Sequence, residues 1–139
     1  AAAAALELAN SQLADFRRIQ LVNPVKKSLG RKLQAMKQAL QAFESAIDYG
    51  VSTVITAATY QIATMYDELG DALLASERPR SLSDEELAEY DVLLAEQAAP
   101  FEQQAIDVYT TNAQRSSSEP GDPWIEKSVQ RLAELQGGQ

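Results

Sequence analysis

Apolar residues recur along this chain every three to four positions, in blocks separated by short polar or proline-containing breaks, which is the spacing of amphipathic helices. Leu6, Ala9, Leu13 and Phe16 mark the first block, predicted to end near Leu21 or Val22. Asn23 and Pro24 then supply a stop for it, and an N-cap and first-turn proline for a second helix. From there Val25, Leu29, Leu33, Met36, Leu40, Phe43 and Ile47 form a sustained seam. It predicts a second helix of roughly 35 Å, at about 1.5 Å per residue, with Gly50 placed to close it in a left-handed turn.

A third helix is predicted from Ser52 through Ile55, Ala58, Ile62, Met65 or Tyr66, Leu69 and Leu73 toward Ser76, and Pro79 stops it. Ser83 with Glu86 makes a capping box, and Leu82 and Leu87 are spaced for a hydrophobic staple, so a fourth helix starts there. It carries Leu87, Tyr90, Leu94, Phe101, Ala105 and Val108. Pro100 removes a hydrogen bond to the Glu96 carbonyl, at a cost of about 3 kcal/mol, so a kink or break is expected between Ala98 and Pro100. A polar loop over residues 115–122 precedes a last helix, for which Asp122 and Pro123 are cap and first turn. Trp124, Ile125, Val129, Leu132 and Leu135 form its expected buried face, and Gly137, Gly138 and Gln139 are expected to fray. The sum is an all-α fold of about five helices in antiparallel hairpins, one domain over residues 1–139, with the low-complexity Ala1–Ala5 left unassigned.

Composition narrows the function. The chain has no Cys and no His, and so lacks the side chains that most often carry catalysis; neither enzymatic activity nor a cofactor is expected. The absence of Cys excludes disulfides but leaves the compartment open. A net charge of −8 opposes nonspecific attachment to nucleic acid or anionic membrane, which favours basic or neutral protein partners. No run approaches the ~18 apolar residues needed to span a bilayer, so no direct membrane insertion is expected, and no segment has the pattern of a signal peptide.

The charges are unevenly spread. Arg17, Arg18, Lys26, Lys27, Arg31, Lys32 and Lys37 occupy a stretch without an acid, whereas residues 67–107 hold twelve acids against Arg78 and Arg80. Such asymmetry steers a partner or lets one chain's basic end meet another's acidic side; the plainer reading is two solvated helix faces partly neutralised inside one fold. Asp84, Glu85, Glu86 and Glu89 read better as complements of a helix dipole than as a metal site. The Lys27–Ser28 and Lys127–Ser128 neighbours point about 100° apart on a helix and do not make nucleophile–base pairs.

Ala39, Phe43 and Ala46, followed after a turn by Thr59, Ile62, Ala63, Tyr66, Gly70 and Asp71, resemble the tetratricopeptide repeat family: the second helix of one repeat, then the first helix of the next. Thr59 stands where the pattern prefers Trp, and Ala63 where it prefers Gly. Pro79 comes early for a compact second helix, and Phe101, Ala105 and Trp124 match more loosely, with Lys127 and Ser128 replacing the usual Leu and Gly. The segment Pro100–Tyr109 and the Trp-containing last helix also resemble the C-terminal part of proteobacterial cell-envelope repeat proteins, which favours a periplasmic or envelope location while the cytoplasm stays open. The resemblance implies a solenoid fragment whose packing residues are Ala39, Phe43, Ala46, Ile62, Ala63, Tyr66, Gly70, Phe101, Ala105 and Trp124. It further implies that Tyr60, Thr64, Asp67 and Glu68 face a concave groove, an acidic rim for a basic peptide; the competing expectation packs Tyr60 against the fourth helix near Phe101. The function expected first is thus a protein–protein interaction scaffold. The alternative is self-association into a homo-oligomer through the Val25–Ile47 seam, and an enzyme is the remote third reading.

Overall fold

The computed structural model describes residues 1–137 as five helices: α1 (Ala2–Arg18), α2 (Val25–Ile47), α3 (Ser52–Leu74), α4 (Asp84–Ala113) and α5 (Pro123–Gly137). Among the described residues there is no strand, so the protein is all-α. Gly138 and Gln139, two of the residues expected to fray, lie outside the described residues, and Gly137 is the last residue of α5.

Helix ends depart from the sequence pattern where side chains from elsewhere intervene. α1 stops at Arg18, short of Leu21, because Ile19 turns extended and the Phe16 and Ile19 carbonyls are taken by the Lys32 ammonium from α2. The freed chain drops Leu21 into a small cluster with Leu73 and Ala98. Asn23 does not cap α2. Pro24 occupies the N-cap position, and the Asn23 amide donates to the Arg78 carbonyl at 3.2 Å. Gly50 adopts φ +76°, the left-handed turn a glycine accepts without strain, and Ser83 and Glu86 form the reciprocal capping box. α4 is continuous over 30 residues with Pro100 inside it, so the expected break is absent. Glu96 and Pro100 are both exposed, so the carbonyl that the proline leaves free is on the side open to solvent. In α5 the Asp122 carboxylate accepts from the Trp124 and Ile125 amides, at 2.8 and 3.2 Å. Val129, expected inside, is 45% exposed, and Ser128 is buried instead.

α3 is the one helix whose backbone lies close to all four others. α1 and α2 form a hairpin on one side of it. Their core joins Leu13 and Phe16 of α1 to Met36 and Phe43 of α2 and to Met65 and Leu69 of α3. On another side α4 runs antiparallel to α3, as Thr56 meets Asn112, Ala63 clusters with Ala105, and Leu73 clusters with Ala98. Small residues permit the approach. A Cβ at Gly70 would stand 3.1 Å from Glu102 Cγ and 3.8 Å from the Ala98 carbonyl. α5 covers the remaining flank in the same direction as α3, with Trp124 beside Tyr60 and Arg131 beside Asp67. No described helix is long and apolar enough to cross a membrane.

The Val25–Ile47 seam is used inside the chain. Met36, Ala39, Phe43 and Ala46 are buried, and Leu29, Leu40 and Ile47 pack against the same core. Most of the seam expected to pair with another copy is thus turned toward this chain's own core. Leu33 alone rolls outward, 38% exposed.

Candidate functional site

The four residues expected on a groove rim do not share one open face. Tyr60 is half-buried between Tyr109 and Trp124, with ring centroids 5.9 and 5.6 Å away, and Lys127 Nζ lies 4.6 Å above the Trp124 ring. Its aromatic neighbours are thus Tyr109 and Trp124 rather than Phe101. Asp67 is 7% exposed and fully engaged: it accepts from the Tyr109 hydroxyl at 3.1 Å and from Arg131 Nε at 2.7 Å and Nη2 at 3.1 Å. Thr64 donates to the Gln61 carbonyl at 2.8 Å, and Glu68 turns toward α1 to receive Arg17 Nε at 3.0 Å. Burial, and then the adjacent Asp67 carboxylate, hold the Tyr109 phenol far above its usual range, while Arg131 is fixed in its charged form chiefly by its bonds to Asp67. Asp67 is thus turned inward beneath α5, whereas Glu68 keeps 43% of its side chain exposed at the α1 side.

Of the residues placed by the repeat resemblance, Ala39, Phe43, Ala46, Ala63 and Ala105 are fully buried, and Gly70 sits at the α3–α4 contact. Ile62, Tyr66, Phe101 and Trp124 are half-buried.

Polar groups inside the fold are what the sequence reading missed. Asn112 donates to the Thr56 carbonyl at 2.9 Å and to Ser128 Oγ at 3.0 Å, and Arg115 donates to Asn112 Oδ1 at 2.8 Å. Lys32, 4% exposed, donates to the Phe16 and Ile19 carbonyls at 2.7 and 2.9 Å and stands 3.9 Å above the Phe16 ring. Burial pushes its pKa below the lysine value; Glu68 opposes the shift and Arg17 adds to it. One signal was present: Lys32, Met36, Ala39 and Phe43 share a helix face, so a lysine stood in an apolar stripe.

A cleft of about 620 Å³ opens beside Lys32, between the end of α1 and the C-terminal half of α3, lined by Phe16, Leu21, Glu68, Asp71 and Glu77 among others. Its polar groups are largely committed. Lys32 donates to the Phe16 and Ile19 carbonyls, Glu68 accepts from Arg17, and Glu77 accepts from the Asn23 backbone N–H. The serines beside lysines are occupied too: Ser28 Oγ donates to the Val22 carbonyl and Ser128 Oγ to that of Trp124, each at 2.8 Å. Among the described residues no three carboxylates gather as a metal would require.

Among the described residues, one group of exposed, unpaired side chains lies on the outside of α4. Because Leu73 at the end of α3 clusters with Ala98, the first three or so turns of α4 run past α3 and rest on the 75–83 segment, where Arg78 Nε meets Asp91 at 2.8 Å. Leu94 is buried there, yet Val92 and Leu93 are 59% and 55% exposed. Glu85, Glu89, Val92 and Glu96 follow one another at four-, three- and four-residue steps and so line one outward stripe. Among the described residues none of these three glutamates has an ion-pair partner. No family model matches this chain, and no curated protein or solved structure matches it either.

Proposed function

We propose that this domain is a non-enzymatic protein-interaction scaffold of the tetratricopeptide type, which engages a basic protein or peptide segment and helps hold a larger assembly together. The observation that carries this reading is the exposure of Val92 and Leu93 amid Glu85, Glu89 and Glu96. Two adjacent large apolar side chains in water gain free energy when covered, at about 25 cal/mol per Å² of apolar surface removed from water. Carboxylates around them select a partner with complementary charge. The buried polar side chains Lys32, Asp67 and Asn112 are instead engaged in holding helices together.

The test compares crosslinked partners of the wild-type domain with those of a Val92→Asp, Leu93→Asp variant in extract from the source cells, with circular dichroism confirming the fold. Crosslinks mapping to residues 85–96 and lost in the variant support the reading. An unchanged partner set at unchanged yield overturns it.

A further inference from the structure

Resting on that reading, we infer that the partner of the α4 stripe is a second copy of this chain, which docks through the outward face of its α2. Lys26, Gly30, Leu33 and Lys37 are all exposed on α2 and repeat the four-, three-, four-residue spacing of Glu85, Glu89, Val92 and Glu96. Laid side by side and parallel, the two stripes set Glu85 against Lys26, Val92 against Leu33 and Glu96 against Lys37, with Glu89 over Gly30. The antiparallel register sets Leu33 against Glu89 and is poorer. Leu93 flanks the contact and enlarges its apolar part.

Gly30 supplies the second, independent observation. A glycine inside a helix costs about 0.5–1 kcal/mol relative to alanine, and nothing among the described residues accounts for one here. A Cβ at Gly30 would have no atom within 4 Å. Its absence flattens the α2 surface at the point where the aligned Glu89 would cross it, which allows the two backbones to approach. Within one chain the stripes do not meet, since the α2 and α4 backbones are not in contact and no ion pair joins them among the described residues. Each copy therefore presents a donor face and an acceptor face on different sides of α3. Repetition of such a contact yields a head-to-tail array or a ring rather than a two-fold dimer.

A single helix-to-helix contact lies below the ~1,200 Å² typical of stable complexes, so association is expected at roughly 0.1–1 mM chain. Light scattering on the purified domain, in about 0.1 M salt, should show the average mass rising above that of one chain over that range. Lys26→Glu with Lys37→Glu, and separately Glu85→Lys with Glu96→Lys, should each abolish the rise; an equimolar mixture of the two variants should restore it. The glutamate reversal decides between specific and bulk electrostatics. Two changes of +2 each take the net charge from −8 to −4, and lower mutual repulsion by itself would promote association. A wild-type domain that stays a single chain up to about 1 mM, or a Glu85→Lys, Glu96→Lys variant that associates as well as wild type, overturns the inference. If the wild type is a single chain while the Val92→Asp, Leu93→Asp variant still loses its crosslinked partners, the scaffold reading stands and the self-docking inference alone falls.

Discussion

Asp67 on α3 and Arg131 on α5 meet through two parallel bonds, Nε to Oδ2 at 2.7 Å and Nη2 to Oδ1 at 3.1 Å, with the Tyr109 hydroxyl from α4 closing the third side. Three helices are thus joined at one carboxylate. The Asp67 side chain is 9% exposed and that of Arg131 35%, so the two ends of the pair do not cost the same to orphan. Arg131→Met strands a buried carboxylate and is expected to lose about 3 kcal/mol in urea unfolding. Asp67→Asn leaves a guanidinium that water reaches, and should lose about 1–2 kcal/mol. Equal losses, or none, would show that the pair does not hold α5 in place.

Lys32 closes the C-terminal end of α1 from a neighbouring helix. Lys32→Met keeps the stem and removes the ammonium, which leaves the Ile19 carbonyl without its donor and the Phe16 carbonyl with only the Ile19 N–H; a loss of about 1–2 kcal/mol is expected. The pH dependence has a defined sign. The folded-state pKa lies below 10.5, so in the window between it and 10.5 the unfolded chain binds more protons, and stability gains with rising pH. The wild-type advantage over Lys32→Met should widen across that alkaline window. An advantage that is flat or shrinks there would mean that burial does not penalise the ammonium.

Gly30 and Gly70, both inside helices, separate on what surrounds them. Gly30→Ala adds a methyl into open space and should raise stability by about 0.5–1 kcal/mol. Gly70→Ala gains the same propensity but must displace the Glu102 stem from 3.1 Å, so its net effect should fall within about 0.5 kcal/mol of zero. Thermal melts of both variants decide it. An equal gain at both positions would mean that the α3–α4 contact is looser than the structure has it.

Asp71 is held above its ordinary pKa, first by partial burial and then by Asp67 and Glu68, with Arg131 pulling the other way. Its ionised form is therefore a penalty to folding, fully present above the folded-state pKa and gone below 3.8. Asp71 is exposed, so solvent screening keeps the effect small. Asp71→Asn should raise Tm by about 1–2 °C at pH 7, and the difference should vanish in melts below pH 3.8. A destabilised variant at pH 7 would show that the carboxylate has a partner that offsets its penalty.

Periodicity and local caps together located all five helices, because the apolar stripes of α1, α2 and α3 are long, and because the Ser83 and Asp122 caps are local devices that act within three residues. The end of α1 and the start of α2 were not legible, since Lys32 and Arg78 contribute to them from 13 to 55 residues away. The groove went astray for a related reason. Tyr60, Thr64 and Asp67 lie on the surface of α3 only until α5 is laid over it, and nothing in the α3 sequence announces that helix. Tyr60→Ala or Asp67→Lys would consequently report on folding before it reported on any partner. The outward stripes of α2 and α4 were present as bare charge asymmetry; only the side-chain exposures showed which charges stay at the surface.

With α3 shared by both halves of the fold, neither half can open without stripping a wall from the other. Unfolding is for that reason expected to be a single event, without a state in which α1 and α2 persist while α4 and α5 detach. Amide hydrogens along residues 57–69, sheltered on both sides, should be the last to exchange with solvent, and those in the first turns of α4 among the first. The arm proposed to dock a partner is thus built on the part of the chain that has least to lose by moving, while the central helix holds everything else in register.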